Sequence, residues 1–129
     1  MAVKRNLGMG LDLLLTAGEG NTSPARDSLN IKSAASLMAR AIEEDEKGNI
    51  FEAYHLYRRV IDCQENPVLR GLPSMSALAA QALNNVAVIL CENGKPESAQ
   101  VFLTQALHLQ PDNQVALENL QLIRMASGS

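Results

Sequence analysis

The stretch "ALAAQALNNVAVILCENGKPESAQVFLTQAL", Ala77 to Leu107, decides the fold. Its first half is apolar at Leu83, Val86, Ala87 and Leu90, the i, i+3, i+4, i+7 spacing of one helix face. Asn93-Gly94 ends that helix, because glycine accepts the left-handed backbone of a helix C-terminus. Lys95-Pro96 opens the next one. Proline suits a first helical turn, and Glu97 meets the positive end of the helix dipole. Ala99, Phe102, Leu103, Ala106 and Leu107 then make a second apolar stripe. Pro111-Asp112-Asn113 stops it and caps a third helix, "QVALENLQLIRM".

The same plan occurs earlier in the chain. "EKGNIFEAYHLYRRVI" from Glu46 aligns with "ENGKPESAQVFLTQAL" from Glu92. Gly48 falls on Gly94, Ala53 on Ala99, Tyr57 on Leu103, Val60 on Ala106 and Ile61 on Leu107, always at one offset. That offset is longer than a simple helix pair needs. The excess lies in "QENPVLRGLPSMSA", where Pro67, Gly71 and Pro73 predict a loop and then an early helix start near Ser74. Ser74 and Ser76 are expected to cap it.

The bulk numbers agree with packed helices. The chain has 129 residues, enough for one domain. Apolar residues make up 47% and aromatic residues 3%, so the core is aliphatic and alanine-rich. A formal net charge of −3 argues against broad electrostatic binding to nucleic acid. Cys63 and Cys91 lack metal-motif spacing and are expected to be reduced, buried small hydrophobes. No apolar run approaches the roughly 18 residues that suggest a membrane span. A signal peptide is disfavoured by Asp12, Gly8 and Gly10, so a cytoplasmic location is expected.

The unit beginning at Leu83 resembles a tetratricopeptide repeat (TPR), a helix pair of about 34 residues. Leu83, Val86-Ala87, Leu90, Gly94, Ala99, Leu103, Ala106 and Pro111 stand at that family's positions. Ala87, Ala99 and Ala106 are small where two helices must approach closely. In the first unit Leu37, Ala41, Gly48, Ala53 and Tyr57 fit, whereas Arg40 and Glu44 replace apolar residues. The resemblance implies an all-α fold of antiparallel helix pairs in a short superhelix, two repeats plus a C-terminal capping helix. Residues 29–125 would form this domain, residues 1–28 an N-terminal docking segment and flexible linker, and residues 126–129 a disordered tail. Leu117, Leu120 and Ile123 would cover the last pair.

Nothing in the sequence assembles a nucleophile, a base and an orienting group. Glu43, Glu44, Asp45 and Glu46 are consecutive, so they fan around a helix end and read as solvated, with Glu43 able to pair with Lys47. His55 and His108 lack spaced companions for a metal. The chain is therefore expected to be non-catalytic, without metal or cofactor.

The TPR resemblance implies instead a protein- or peptide-binding concave face. Projected onto this chain, that face holds Met38, Ile42, Asp45, Asn84, Asn85, Val88 and Glu92. It lacks the Lys and Arg with which the family's carboxylate-gripping members hold a free C-terminus. Its mixed apolar and acidic character suits an amphipathic or basic segment.

The opening "KRNLGMGLDLLL", Lys4 to Leu15, lies outside the repeat pattern, and "AGEGNTSPARDS" separates it from the helices. Lys4, Arg5, Leu7, Leu11, Leu14 and Leu15 make it a candidate docking peptide. It is similar to the N-terminus of ParB chromosome-partition proteins, in which basic residues precede Leu-Gly-x-Gly-Leu-x-x-Leu-Leu. That similarity implies docking on a ParA/MinD-like Walker ATPase, with Lys4 or Arg5 supplying the cation that stimulates hydrolysis. Met9 replaces the basic residue often found between the glycines.

The sequence thus predicts a protein–protein interaction adaptor. It also leaves open a secretion-type chaperone that shields an apolar segment of an exported subunit, and a structural homo-oligomer, such as a homodimer, whose groove is filled by its own N-terminal segment.

Overall fold

A computed structural model describes residues 3–7 and 26–127. Leu11, Leu14 and Leu15 lie outside the described residues. The described residues after the N-terminal segment form five α-helices: α1 (Arg26–Glu46), α2 (Ile50–Asp62), α3 (Pro73–Glu92), α4 (Pro96–Leu109) and α5 (Gln114–Ser127). The fold is all-α, a TPR-like succession of helix pairs.

Each pair closes through the same device. Gly48 and Gly94 both have positive φ, 88° and 78°. After α1, the Gly48 N–H donates to the Asp45 carbonyl and the Asn49 N–H to the Glu44 carbonyl. After α3, the Gly94 N–H donates to Cys91 and the Lys95 N–H to Leu90. These are the two bonds of a Schellman cap, which satisfies helix-end carbonyls and reverses the chain within three residues. Such short connections make each pair antiparallel.

Alanine governs how closely the helices approach. Ala34, Ala35, Ala41, Ala53, Ala79 and Ala82 are buried with Met38, Leu56, Tyr57, Val60, Leu78 and Val86 around α1, α2 and α3. A second cluster joins Ala80, Leu83, Ala87, Ala99, Leu103, Ala106, Ala116, Leu120 and Ile123 across α3, α4 and α5. Consecutive helices pack together, and α1 also touches α3. This skipped contact sets α1 and α3 side by side as one inner face.

The connection between the pairs is a 3-10 turn at Cys63–Glu65 followed by turns. Leu69 anchors it in the first cluster. Helix α3 starts at Pro73, with no side-chain cap at its N-cap position Leu72. Ser74 and Ser76 therefore lie inside the helix instead of capping it, because Pro73 already supplies the preset first turn. Cys63 and Cys91 form no disulfide and are of intermediate exposure rather than fully buried, and partial burial raises the pKa of each.

Helix α3 is long and apolar enough to cross a membrane by length and composition, with mean hydropathy 1.4, but 72% of that stretch is buried inside the domain. Gln81, Asn84 and Asn85 interrupt it and are themselves buried.

Candidate functional site

Buried amides on an otherwise apolar helix need partners, since an unsatisfied polar group costs about 1–3 kcal/mol. Asn84 and Asn85 are 0% exposed, Asn119 on α5 is 1% and Gln81 is 6%. Their partner is the main chain of residues 4–6.

The Lys4 N–H donates to Asn119 Oδ1 at 2.7 Å, and Asn119 Nδ2 donates back to the Lys4 carbonyl at 2.7 Å. Asn84 Nδ2 adds a bond to that carbonyl at 3.0 Å. The pattern repeats two residues on. The Asn6 N–H donates to Asn85 Oδ1 at 2.7 Å, while Asn85 Nδ2 and Gln81 Nε2 donate to the Asn6 carbonyl at 3.1 and 2.7 Å. In an extended chain, alternate residues turn both main-chain groups to the same side. Side-chain amides here do what a neighbouring β-strand would do. Asn119 Nδ2 also donates to Asn84 Oδ1 at 2.8 Å, tying α5 to α3.

The intervening Arg5 reads charge. Its Nε donates to Asp45 Oδ2 at 2.7 Å, and Nη1 and Nη2 donate to the two oxygens of Glu92 at 2.9 Å each. Asp45 lies in the last turn of α1 and Glu92 is the last residue of α3. The negative ends of two helix dipoles therefore converge on one guanidinium. Hydrogen bonds to both carboxylates raise the Arg5 pKa, Glu92 most strongly. Planar forked pairing of this kind is specific to arginine.

Tyr57 on α2 fixes the acid from behind. Its hydroxyl donates to Asp45 Oδ2 at 2.7 Å. Burial first, and then the Asp45 carboxylate, push the Tyr57 pKa upward. Asp45 is 7% exposed, so it is not part of a solvated acidic helix end. Glu43 does face water and pairs with Lys47 at 3.0 Å.

The ends of the segment are held more loosely. Val3 packs on the second apolar cluster, while Leu7 is 43% exposed. Beside Leu7 an open depression of about 210 Å³ is bounded by Arg5, Asp45, Glu46 and Ile50.

Of the residues projected onto the concave face, Asp45, Asn84, Asn85 and Glu92 meet at residues 4–6. Met38 is wholly buried and Ile42 partly so, both packed in the first cluster; Val88 is buried as well. Of the N-terminal candidates, Arg5 contributes its side chain and Lys4 its main chain.

Sequence reasoning missed Gln81, Asn119 and Tyr57. Gln81 is one turn before Asn84 and Asn85, on the same helix face. Asn119 lies 35 residues beyond Asn84 and bonds to it from α5. Reading α5 only as a cap hid that role.

Among the described residues no group of three His, Cys, Asp or Glu side chains could hold a metal ion. Comparison of the chain with protein-family models, with curated proteins and with solved structures finds no match in any of the three.

Proposed function

We propose that this chain is a non-catalytic, TPR-type interaction module whose inner groove takes an extended, arginine-bearing segment. The observation that carries the reading is the set of four buried amides satisfied by a peptide main chain. Without a peptide, Gln81, Asn84 and Asn85 on α3 and Asn119 on α5 would lose these main-chain partners and keep only the side-chain bonds of Asn84 to Asn119 and Asn85. With residues 3–7 in place, Gln64 Oε1 is the only buried side-chain polar atom left without a partner among the described residues.

The module acts as an adaptor, with the groove serving one protein partner and the N-terminal segment another. The similarity of Leu7-Gly8-Met9-Gly10-Leu11 to ParB N-termini supports a ParA/MinD-like ATPase as the second partner. A cation placed near nucleotide phosphates stabilises the charge of phosphoryl transfer. A pull-down with the full chain, with Asn85→Ala and with Lys4→Ala/Arg5→Ala separates the two surfaces. The adaptor reading expects each variant to lose a different protein. Identical retention by all three chains would reject it. Lys4→Ala/Arg5→Ala is expected to abolish stimulation of a bound ATPase, and unchanged stimulation would remove those cations from the mechanism.

A structural reading also has an observation behind it, since residues 3–7 of the chain itself fill the groove. In that case the segment is a permanent plug, in one chain or exchanged between two. The shallow apolar burial of the segment favours exchange over permanence. A secretion-type chaperone fits less well, because a clamp of amides and carboxylates is poorly matched to an apolar client.

A further inference from the structure

The groove and any second partner make incompatible demands on the same residues. In the groove, Arg5 is bound by Asp45 and Glu92, and both main-chain groups of Lys4 and Asn6 are consumed. None of these groups is then free to dock elsewhere. We infer that residues 3–7 are an exchangeable self-ligand, which an external extended peptide with arginine between two clamped residues displaces, releasing the N-terminal segment. This rests on the peptide-groove reading above and adds its regulation.

The ligand chemistry follows from the contacts. The residues flanking the arginine must carry an N–H, so proline is excluded at both. Their side chains are unrestricted by the clamp, because only main-chain atoms are read there. The central residue must be arginine, since one flexible ammonium cannot meet Asp45 and both oxygens of Glu92 in a planar fork.

The self-ligand is built to leave. Its two amide brackets are polar and can be replaced by a competitor one at a time. The Glu92 side chain is 48% exposed and that of Arg5 21%, so water and a second guanidinium reach the charge pair directly. What favours the resident segment is its covalent attachment, which makes its binding intramolecular. A competitor must overcome that advantage, so weakening the resident contacts should show as tighter external binding.

The test uses full-length chains and a fluorescent synthetic peptide of residues 2–12, followed by polarisation. The peptide should bind Arg5→Ala at least roughly tenfold more tightly than wild type, because truncating one member of a hydrogen-bonded charge pair costs more than a factor of ten. Arg5→Ala/Asn85→Ala should lose that binding, and a peptide carrying Ala in place of Arg5 should not bind. Matching helical circular dichroism in all chains confirms that the domain is intact. Equal, Asn85-dependent binding to wild type and Arg5→Ala would overturn the self-ligand while leaving the groove as a peptide site. Binding indifferent to Asn85, or no binding to any chain, would overturn both.

Discussion

Helices α1 and α3 hold equivalent places in the two pairs, yet they do different work. Both end in a Schellman cap at a glycine, and both deliver an acid to Arg5. Their middles diverge. Where α3 carries Gln81, Asn84 and Asn85, the repeat alignment gives α1 Ala35, Met38 and Ala39. Ala35 and Met38 are buried in an ordinary aliphatic core. The amides of α3 are equally buried and bond to another part of the chain. Burial alone therefore does not tell core from site. A buried amide whose partner lies 75 or more residues away does.

The largest break in the polar contacts of this comparison should come at the acid of α1. Asp45→Leu removes the acceptor of the buried Tyr57 hydroxyl and one arm of the Arg5 fork. It should lower unfolding stability by about 2–3 kcal/mol, the cost of a buried donor left alone beside a lost charge-assisted bond. A urea melt checks this, and a loss below about 1 kcal/mol would show that the Tyr57–Asp45 bond carries little.

Asn85→Ala should cost about 1–2 kcal/mol by leaving the Asn6 N–H without its acceptor and the Asn6 carbonyl with Gln81 alone, and should expose residues 3–7 to proteolysis. Met38→Ala, its near counterpart on α1, should cost about 2–5 kcal/mol through a cavity but leave the segment in place. Gly48→Ala and Gly94→Ala probe the feature that the two pairs share. A Cβ at either position meets nothing within 4 Å, so the cost is the left-handed backbone alone, about 1–2 kcal/mol each. Unequal thermal shifts would mean that the two turns are not equivalent.

The Tyr57 hydroxyl gives a smaller effect that depends on pH. Its pKa in the folded chain lies above the ordinary value of 10.0. The unfolded chain thus loses this proton first as pH rises. The stabilisation is complete below pH 10 and declines above it. Tyr57→Phe should be less stable than wild type at neutral pH and flatter in alkaline melts; parallel curves would contradict the assignment. Glu92→Gln should have the smallest effect, under about 1 kcal/mol on stability, because that carboxylate is half exposed.

Much of this was legible in the sequence. The spacing of Leu83, Val86, Ala87 and Leu90, the glycines at 48 and 94, and the alanines at close approaches lead to the helix pairs. Projection of one helix face reached Asp45, Asn84, Asn85 and Glu92. It could not reach Asn119, because α5 looked like a lid by its apolar stripe. It could not reach Tyr57, whose alignment with Leu103 marks it as core although its hydroxyl serves Asp45. The occupant of the groove was the least legible. Residues 3–7 have no periodicity, and nothing local says that Lys4 will meet Asn119.

Amide hydrogen exchange at residues 3–7 of the full chain, read residue by residue by NMR, tests the central claim most directly. The segment belongs to no helix or strand, so protection there has to come from the groove. The account predicts slowed exchange at the Lys4 and Asn6 N–H groups, lost at Asn6 in Asn85→Ala. Exchange of both amides at the rate of a free peptide in the wild-type chain would contradict it.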